Sequence, residues 1–139
     1  MDRIPTYLIL LEPRTKKNSQ QVVYNKTTHR TMLLPCKEYR QYEKDCGYFI
    51  NKPDAPIDYP VNIECRFYRK NLHRCDLTNL LEAIDDILVR YGVISDDNFK
   101  VVAGHDGSRV FVDKEHPRTE IFITRISSIA SRRLVRSHL

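Results

Sequence analysis

The spacing of apolar residues between positions 76 and 92 gives the clearest structural signal in the chain. In the run DLTNLLEAIDDILVRYG, apolar side chains recur at helical spacing and form one broad stripe: Leu77, Leu80, Leu81, Ile84, Ile87, Leu88 and Tyr91. Asp76 is placed to cap the start of this helix, and Gly92 is placed to end it. We therefore predict an amphipathic helix whose leucine-rich face packs into the core.

The other predicted elements are a second helix and a set of strands. The second helix runs from Cys36 to Ile50, after Pro35, and aligns several aromatic residues on one face. Strands are predicted where apolar residues form short runs or alternate with polar ones, at 7–11, 21–25, 30–34, 61–68, 100–113 with an interruption at 104–107, and 118–126. We expect 21–25 and 30–34 to form a hairpin with basic residues near its turn.

These elements predict an α+β fold, a single domain over residues 1–126 with a mixed β-sheet packed against two main helices. A length of 139 residues and a hydrophobic content of 41% suit one domain with a modest core. The chain has no Gly-rich phosphate loop and no βαβ repetition, which argues against a nucleotide cofactor. Residues 127–139 form a basic tail that we expect to be helical or disordered.

Cysteine spacing and hydropathy exclude several classes of protein. The four cysteines, Cys36, Cys46, Cys65 and Cys75, include no CxxC pair, so we expect reduced and mostly buried thiols. His73 and Cys75 could supply half of a metal site, but no second half has matching spacing. No apolar run approaches the roughly 18 residues that a membrane span needs, and the N-terminus has no leader pattern. We expect a cytoplasmic protein of a bacterial cell or phage-infected host, without membrane contact.

Charge is distributed unevenly along this chain of formal net charge +5. Between Arg14 and Lys44 there are eight basic and two acidic residues, whereas Asp76 to Asp97 carries six acids and one arginine. A basic surface beside an acidic centre is typical of proteins that act on a polyanion with the help of a divalent cation. Ordinary solvated charge is the alternative, and charge alone favours that alternative.

The candidate functional residues are acids of the 76–92 helix and of the turn that follows it in sequence. One side of the helix, distinct from the leucine stripe, carries two carboxylates and their neighbours: Asp76, Asn79, Ala83, Asp86 and Arg90. Asp96 and Asp97 stand in the turn that follows. A capping residue, a solvated helix face and an ordinary turn would explain these acids separately. Brought together by a strand, helix and turn, they could hold one or two Mg²⁺ ions, which activate water for phosphodiester hydrolysis.

The run DLTNLLEAIDDILVRYGVISDD resembles the signature of the RusA family of Holliday-junction resolvases. In that signature a DLDNL-type start opens a helix that ends in a glycine, and an acidic DD turn follows. PRTKKNSQ and PRTEIFI resemble the family's Asn-containing loop and closing strand, so the resemblance covers most of residues 6–126. It implies a homodimeric, Mg²⁺-dependent endodeoxyribonuclease, with Mn²⁺ as a substitute. Such an enzyme makes paired symmetric nicks in four-way junctions, and suits phage or prophage DNA recombination and repair.

The resemblance also assigns roles to individual acids. Asp76 and Asp97 match essential family carboxylates, and Asp96 directly precedes the second of them. The implied catalytic and metal-binding residues are therefore Asp76, Asp96 and Asp97. Asp86 matches the acid of the family's helix and is a further candidate metal ligand.

Two positions depart from the family pattern. Thr78 replaces the second acid of DLDNL, and Glu82 stands where the pattern has a catalytic lysine. A cation for the transition state must then come from another residue, and the candidates are Lys16, Lys17, Arg74 and Arg90. Glu82 could itself join the acids, but its helical angle points away from Asp76, so we expect it at the surface.

The predicted DNA contacts are six basic residues and one asparagine: Lys16, Lys17, Asn18, Arg66, Arg69, Lys70 and Arg74. Lysine and arginine contacts to phosphate would give salt-dependent, sequence-independent affinity. Asn18 matches the family's loop residue but could equally cap a turn, and Tyr68 could stack on a base or pack within the protein. Two other functions stay open: a less selective nuclease for flaps or branched DNA, and a junction-binding protein without catalytic activity.

Overall fold

The computed structural model describes residues 3–16 and 20–130, apart from the side chains of 20–23 and 33–35. The elements follow in the order β1 (Tyr7–Ile9), β2 (Gln20–Asn25), β3 (Arg30–Pro35), α1 (Lys37–Cys46), β4 (Val61–Arg69), α2 (Leu77–Arg90), β5 (Val102–Gly104), β6 (Arg109–Val112) and β7 (Arg118–Arg125). A 3-10 turn, Gly47–Phe49, continues α1. The predicted α+β class, with a mixed sheet and two main helices, is confirmed.

The sheet is built around β4. On one side β4 pairs antiparallel with β7, which in turn pairs antiparallel with β1. On its other side β4 pairs parallel first with β5 and then with β6. β2 and β3 form a separate antiparallel hairpin, as predicted, with Asn25 opposite Arg30 at its tip.

Between β5 and β6, no strand of the described residues pairs with β4 on that side. Side chains of the loop that joins β5 to β6 hydrogen-bond to the β4 backbone there instead. His105 Nδ1 lies 2.8 Å from the carbonyl oxygen of Ile63 and donates to it. The amide of Cys65 donates to Ser108 Oγ at 2.9 Å. Gly107 has a φ of +86°, a left-handed conformation that lets the loop turn here. The backbone of β4 therefore stays hydrogen-bonded through the break that the sequence predicted at 104–107.

The core lies between one face of the sheet and both helices. Four residues of the predicted leucine stripe are at most 1% exposed: Leu80, Ile84, Ile87 and Leu88. α1 adds Tyr39, Tyr42 and Cys46 to the same cluster. Truncating a core leucine to alanine typically costs about 2–5 kcal/mol, so this stripe is what holds α2 to the sheet.

Both helices end near Tyr91. A Cβ on Gly47 would lie 2.7 Å from the Tyr91 ring, so only glycine fits there, at the point where α1 tightens into the 3-10 turn. The Tyr91 hydroxyl donates to the carbonyl oxygen of Glu43 at 2.8 Å and ties the two helices together. Gly92, with a φ of +73°, terminates α2 as predicted. α1 itself ends at Cys46, four residues before the predicted end.

Alternation along β4 predicts that one of its faces meets water or substrate, and this is wrong for Glu64. This side chain is only 8% exposed and lies between Arg3 and Arg66, at 2.9 Å and 3.0 Å. The Arg3 guanidinium also stacks 4.1 Å from the centroid of the Phe122 ring. The face of the sheet away from the helices is therefore covered by ion pairs and by arginines on aromatic rings.

All four cysteines are free thiols, as expected, but only Cys46 and Cys65 are fully buried, whereas Cys36 and Cys75 are half-buried. Of the predicted tail, 127–130 is irregular and exposed, and 131–139 lies outside the described residues. Within the ranges that the structure describes, no helix is long and apolar enough to cross a membrane.

Candidate functional site

Asp76 stands at the entrance to α2, where its backbone carbonyl accepts the hydrogen bond of Leu80 at 3.2 Å. Its side chain makes no capping bond to the helix. One carboxylate oxygen instead lies 3.5 Å from the side-chain amide of Asn79, and the residue is exposed. Asp76 thus has the predicted capping position but keeps a carboxylate that faces outward.

Asp96 and Asp97 form a hydrogen-bonded turn after α2. The amide of Asp97 donates to Asp96 Oδ1 at 2.7 Å, and Asn98 Nδ2 donates to Asp96 Oδ2 at 3.0 Å. These bonds, with the Asp97 amide first, lower the pKa of Asp96. The neighbouring Asp96 carboxyl raises the pKa of Asp97, and burial and the charge of Asp86 act in the same direction. Asp97 therefore lies within electrostatic reach of two other carboxyl groups.

The predicted acids do not form one compact group. Asp76 and Asp86 are ten positions apart on one helix, which corresponds to about 15 Å along its axis. Among the residues that the structure describes, no three His, Cys, Asp or Glu side chains lie close enough together to hold a metal ion. Asp86 lies toward the C-terminal end of α2, and its charge adds to the larger effect of the Asp96 hydrogen bond on the pKa of Asp97. We call Asp86, Asp96 and Asp97 the acidic end of α2, as distinct from the Asp76 end.

Lys16 reaches the acidic end from the N-terminal loop. Its ammonium pairs with Asp86 Oδ2, and the two side chains are 35% and 32% exposed. The residues before it, Arg14 and Thr15, line a cleft on the neighbouring surface. Lys17 and Asn18, the other predicted contacts in this loop, lie outside the described residues.

The cleft has a volume of about 400 Å³ and is mainly basic. Its lining includes Arg14, Arg69, Lys70, His73 and Arg74, against two acids, Glu12 and Glu38. Cys75, which directly precedes Asp76, also lines it, so the Asp76 end of α2 borders the cleft. Three of the predicted DNA contacts, Arg69, Lys70 and Arg74, are thus brought together.

The 70–75 loop that forms one wall of the cleft is held by local hydrogen bonds. An Arg69 Nη donates to the carbonyl oxygen of His73, and the His73 amide donates to Asn71 Oδ1 at 3.0 Å. Glu12 Oε2 accepts the amide hydrogen of Lys70 at 2.9 Å and joins the loop to the segment after β1. Arg74 is exposed and has no hydrogen-bond or ion-pair partner within the described residues. Its guanidinium is available to an anion in the cleft.

Arg66 lies apart from the other predicted DNA contacts. It is on the opposite face of the sheet, where it pairs with Glu64 at 3.0 Å. Tyr68 lies on the same face, with the Arg118 guanidinium 3.7 Å from the ring centroid and the Phe111 ring stacked at 4.9 Å. Both faces of the Tyr68 ring are occupied, so packing within the protein explains this residue rather than base stacking.

The structure also gives the surroundings of the positions that depart from the family pattern. Thr78 and Glu82 are both exposed, and Glu82 has the surface position that its helical angle predicts. Of the candidate cations, Lys16 is at Asp86, Arg74 is in the cleft, and Arg90 pairs with Glu43.

Asp85 and His105 form a part-buried pair that the sequence did not predict. His105 Nε2 lies 2.9 Å from Asp85 Oδ2 while its Nδ1 bonds to β4, and the second oxygen of Asp85 is buried without a partner among the described residues. Burial raises the pKa of Asp85. Burial acts to lower the pKa of His105, but the hydrogen bond and charge of Asp85 outweigh it and raise that pKa. The available signal was helical spacing, because Asp85 is four residues after Leu81 and three before Leu88, at the edge of the apolar stripe.

In comparisons with models of known protein families and with curated protein sequences, nothing matches this chain.

Proposed function

We propose that the chain is a Mg²⁺-dependent endodeoxyribonuclease that acts on branched DNA, with the four-way junction as its substrate. The observation that carries this proposal is the continuity between the basic cleft and the acidic end of α2. Arg14 and Thr15 line the cleft, and the next residue, Lys16, pairs with Asp86. A phosphate held in the cleft would lie near carboxylates suited to a divalent cation.

The donor atoms at the acidic end fit Mg²⁺ in chemical type. Mg²⁺ prefers oxygen ligands and keeps several waters, so one or two carboxylates together with substrate phosphate are sufficient. Asp97 and Asp86 would hold the ion, with Asp96 beside them, and Mn²⁺ would substitute. When bound, the ion supplies a Lewis acid and an activated water for phosphodiester hydrolysis.

The chain's own residues would bind and orient the DNA. Arg69, Lys70 and Arg74 would contact backbone phosphates through charge, which gives affinity without sequence preference. Asp76 directly follows Cys75, which lines the cleft. Its carboxylate would help to position a phosphate in the cleft, or an ion beside that phosphate.

Paired nicks require a second active centre. A four-way junction presents two scissile phosphates related by near two-fold symmetry, and this chain carries one copy of the acidic motif. A symmetric homodimer would place one centre at each phosphate. Sedimentation velocity of the protein alone and with a junction tests this, because a monomer on the junction that still made paired nicks would contradict the proposal.

The central experiment compares synthetic four-way junctions, flaps and linear duplexes, each with Mg²⁺ and with EDTA. Symmetric paired nicks confined to the junction would support resolution in recombination and repair. Nicks in flaps and other branched substrates would indicate a less selective nuclease. Absence of cleavage on every substrate, in Mg²⁺ and in Mn²⁺, would overturn the nuclease proposal.

A junction-binding protein without catalytic activity is the second candidate. It is favoured by Thr78 and Glu82, which stand at positions where the family pattern has an acid and a catalytic lysine. Tight junction binding without nicks in the same experiment would select this candidate.

A further inference from the structure

Lys16 occupies a position between two sites of opposite charge. It directly follows Arg14 and Thr15, which line the cleft, and its ammonium pairs with Asp86. Both side chains of this pair are about one-third exposed, at 35% and 32%. Ion pairs with this exposure are weak and are readily exchanged for other partners.

Asp86 is also linked to its neighbours by charge. Burial is the main cause of the raised pKa of Tyr39, and the hydrogen bond with Asp96 is the main cause of the raised pKa of Asp97; the charge of Asp86 adds to both. Tyr39 is one of the residues that line the cleft. The Tyr39 hydroxyl has no hydrogen-bond partner among the described residues. The Lys16 ammonium, which pairs with Asp86, offsets the charge of that carboxylate.

We propose that Lys16 is a shared side chain that couples cation binding at the acidic end to phosphate binding in the cleft. This inference rests on the proposed function, because it takes the acidic end to be where a divalent cation binds. A cation at Asp86 and Asp97 competes with the ammonium for the same carboxylate oxygens. Lys16, released from Asp86, then contacts a phosphate in the adjacent cleft. The two ligands thus strengthen each other's binding, and linkage makes the effect equal in both directions.

The coupling is measured as the affinity of the full-length protein for a labelled four-way junction in EDTA and in Ca²⁺. Every sample is also checked for nicks, so that binding and cleavage are recorded separately. For the unaltered protein we expect junction affinity to rise about fivefold on adding Ca²⁺, the lower end of typical coupling between linked sites. In Lys16→Met, which keeps the length of the side chain but removes its charge, this gain is lost.

Two variants provide matched controls. Lys44→Met makes the same change of charge on the exposed end of α1 and should keep the full cation effect. Lys16→Arg keeps the charge and should restore most of the effect. Equal cation effects in Lys16→Met and Lys44→Met would overturn the proposal.

A second measurement needs no DNA. Free Mn²⁺ is followed by electron paramagnetic resonance during titration of the protein. Lys16→Met should bind Mn²⁺ about fivefold more tightly than the unaltered protein, because the competing ammonium is gone. An unchanged or weaker Mn²⁺ affinity would contradict the proposal.

The two proposals can fail separately. Coupling that depends on Lys16, without nicks in Mg²⁺ or Mn²⁺, would refute the nuclease and leave the role of Lys16 supported. If the protein makes nicks but Lys16→Met keeps the full effect of Ca²⁺ on junction affinity, the coupling is refuted and the nuclease proposal stays supported.

Discussion

The two ends of α2 have opposite charge patterns. At the N-terminal end the surface is a mainly basic cleft that includes Lys70 and Arg74, and Asp76 directly follows the lining residue Cys75. A helix N-terminus carries partial positive charge and favours anions, so helix and side chains act in the same direction here. The charge at this end therefore suits an anion such as phosphate.

At the C-terminal end, Asp97 lies near Asp86 and Asp96, and its pKa is raised by their proximity. The partial charge of a helix C-terminus does not favour carboxylates. The Lys16 ammonium offsets the charge of Asp86. A divalent cation bound here would offset the remaining negative charge. We therefore propose that the two ends of α2 have different roles. The N-terminal end would bind DNA, and the C-terminal end would bind the divalent cation needed for hydrolysis.

The largest expected effect is loss of cleavage in Asp97→Asn, and the same change at Asp76 tests whether both ends serve one reaction. Losing even an outer partner of a metal site can cost about 100-fold in activity, and we expect at least that for each variant. Junction binding should be unchanged or tighter, because a negative charge near phosphate is removed. Single-turnover cleavage and a binding assay measure the two quantities. An Asp76→Asn variant with normal cleavage would confine the chemistry to the acidic end.

The next effect concerns the buried link that joins α2 to β4 between its two ends. His105→Ala leaves the Ile63 carbonyl and Asp85 without their partner, and an unmade buried hydrogen bond costs about 1–3 kcal/mol in free energy of unfolding. His116→Ala, an exposed histidine, is the control and should change stability by less than about 0.5 kcal/mol. Urea denaturation measures both variants. Equal effects would show that the link is not stabilising.

The same link should give a defined pH dependence. The pKa of His105 is raised in the folded state, so its charged form contributes stability fully below the ordinary histidine pKa. That contribution is lost as pH rises through the raised value. The stability difference between the unaltered protein and His105→Ala should therefore shrink as pH increases from mildly acidic to mildly alkaline. A difference that grew with pH would contradict the assigned direction.

A smaller effect separates the two faces of the sheet. Arg74→Gln should weaken junction binding severalfold and reduce the slope of log affinity against log salt by about 1, since one phosphate contact is removed. Arg66→Gln is a matched control, because it removes the same charge from the opposite face of the sheet, where Arg66 pairs with Glu64. Salt titrations of both variants measure this. Equal losses would place DNA on the Arg66 face as well.

The smallest expected effect is a gain in stability at the acidic end. The pKa of Asp97 is raised in the folded state, mainly by the hydrogen bond with Asp96, so ionisation of this group costs more free energy in the folded protein than in the unfolded chain. Removal of the charge should relieve that cost. Asp97→Asn should raise the free energy of unfolding by up to about 0.5 kcal/mol, as expected for an exposed position. Thermal denaturation in EDTA measures it. A destabilised variant would mean that the Asp97 carboxylate has a structural role.

Much of the local structure could be predicted from the sequence. α2, β4, β7 and the β2–β3 hairpin follow from periodicity and turn residues, which depend on side chains only a few positions apart. The same periodicity already separated Arg66 from Arg69, because an odd spacing in a strand puts two side chains on opposite faces. Grouping Arg66 with the cleft residues overlooked that signal.

The sequence by itself determined the α+β class, the buried stripe of α2 and the identity of the candidate acids. Tertiary structure decided which of these residues meet. Lys16 pairs with Asp86 across a separation of 70 residues, and His105 pairs with Asp85 across 20. Such contacts depend on the order of strands around β4 and on the paths of the loops, which no local pattern encodes. The rise of the helix, in turn, keeps Asp76 and Asp86 about 15 Å apart although they lie on one edge.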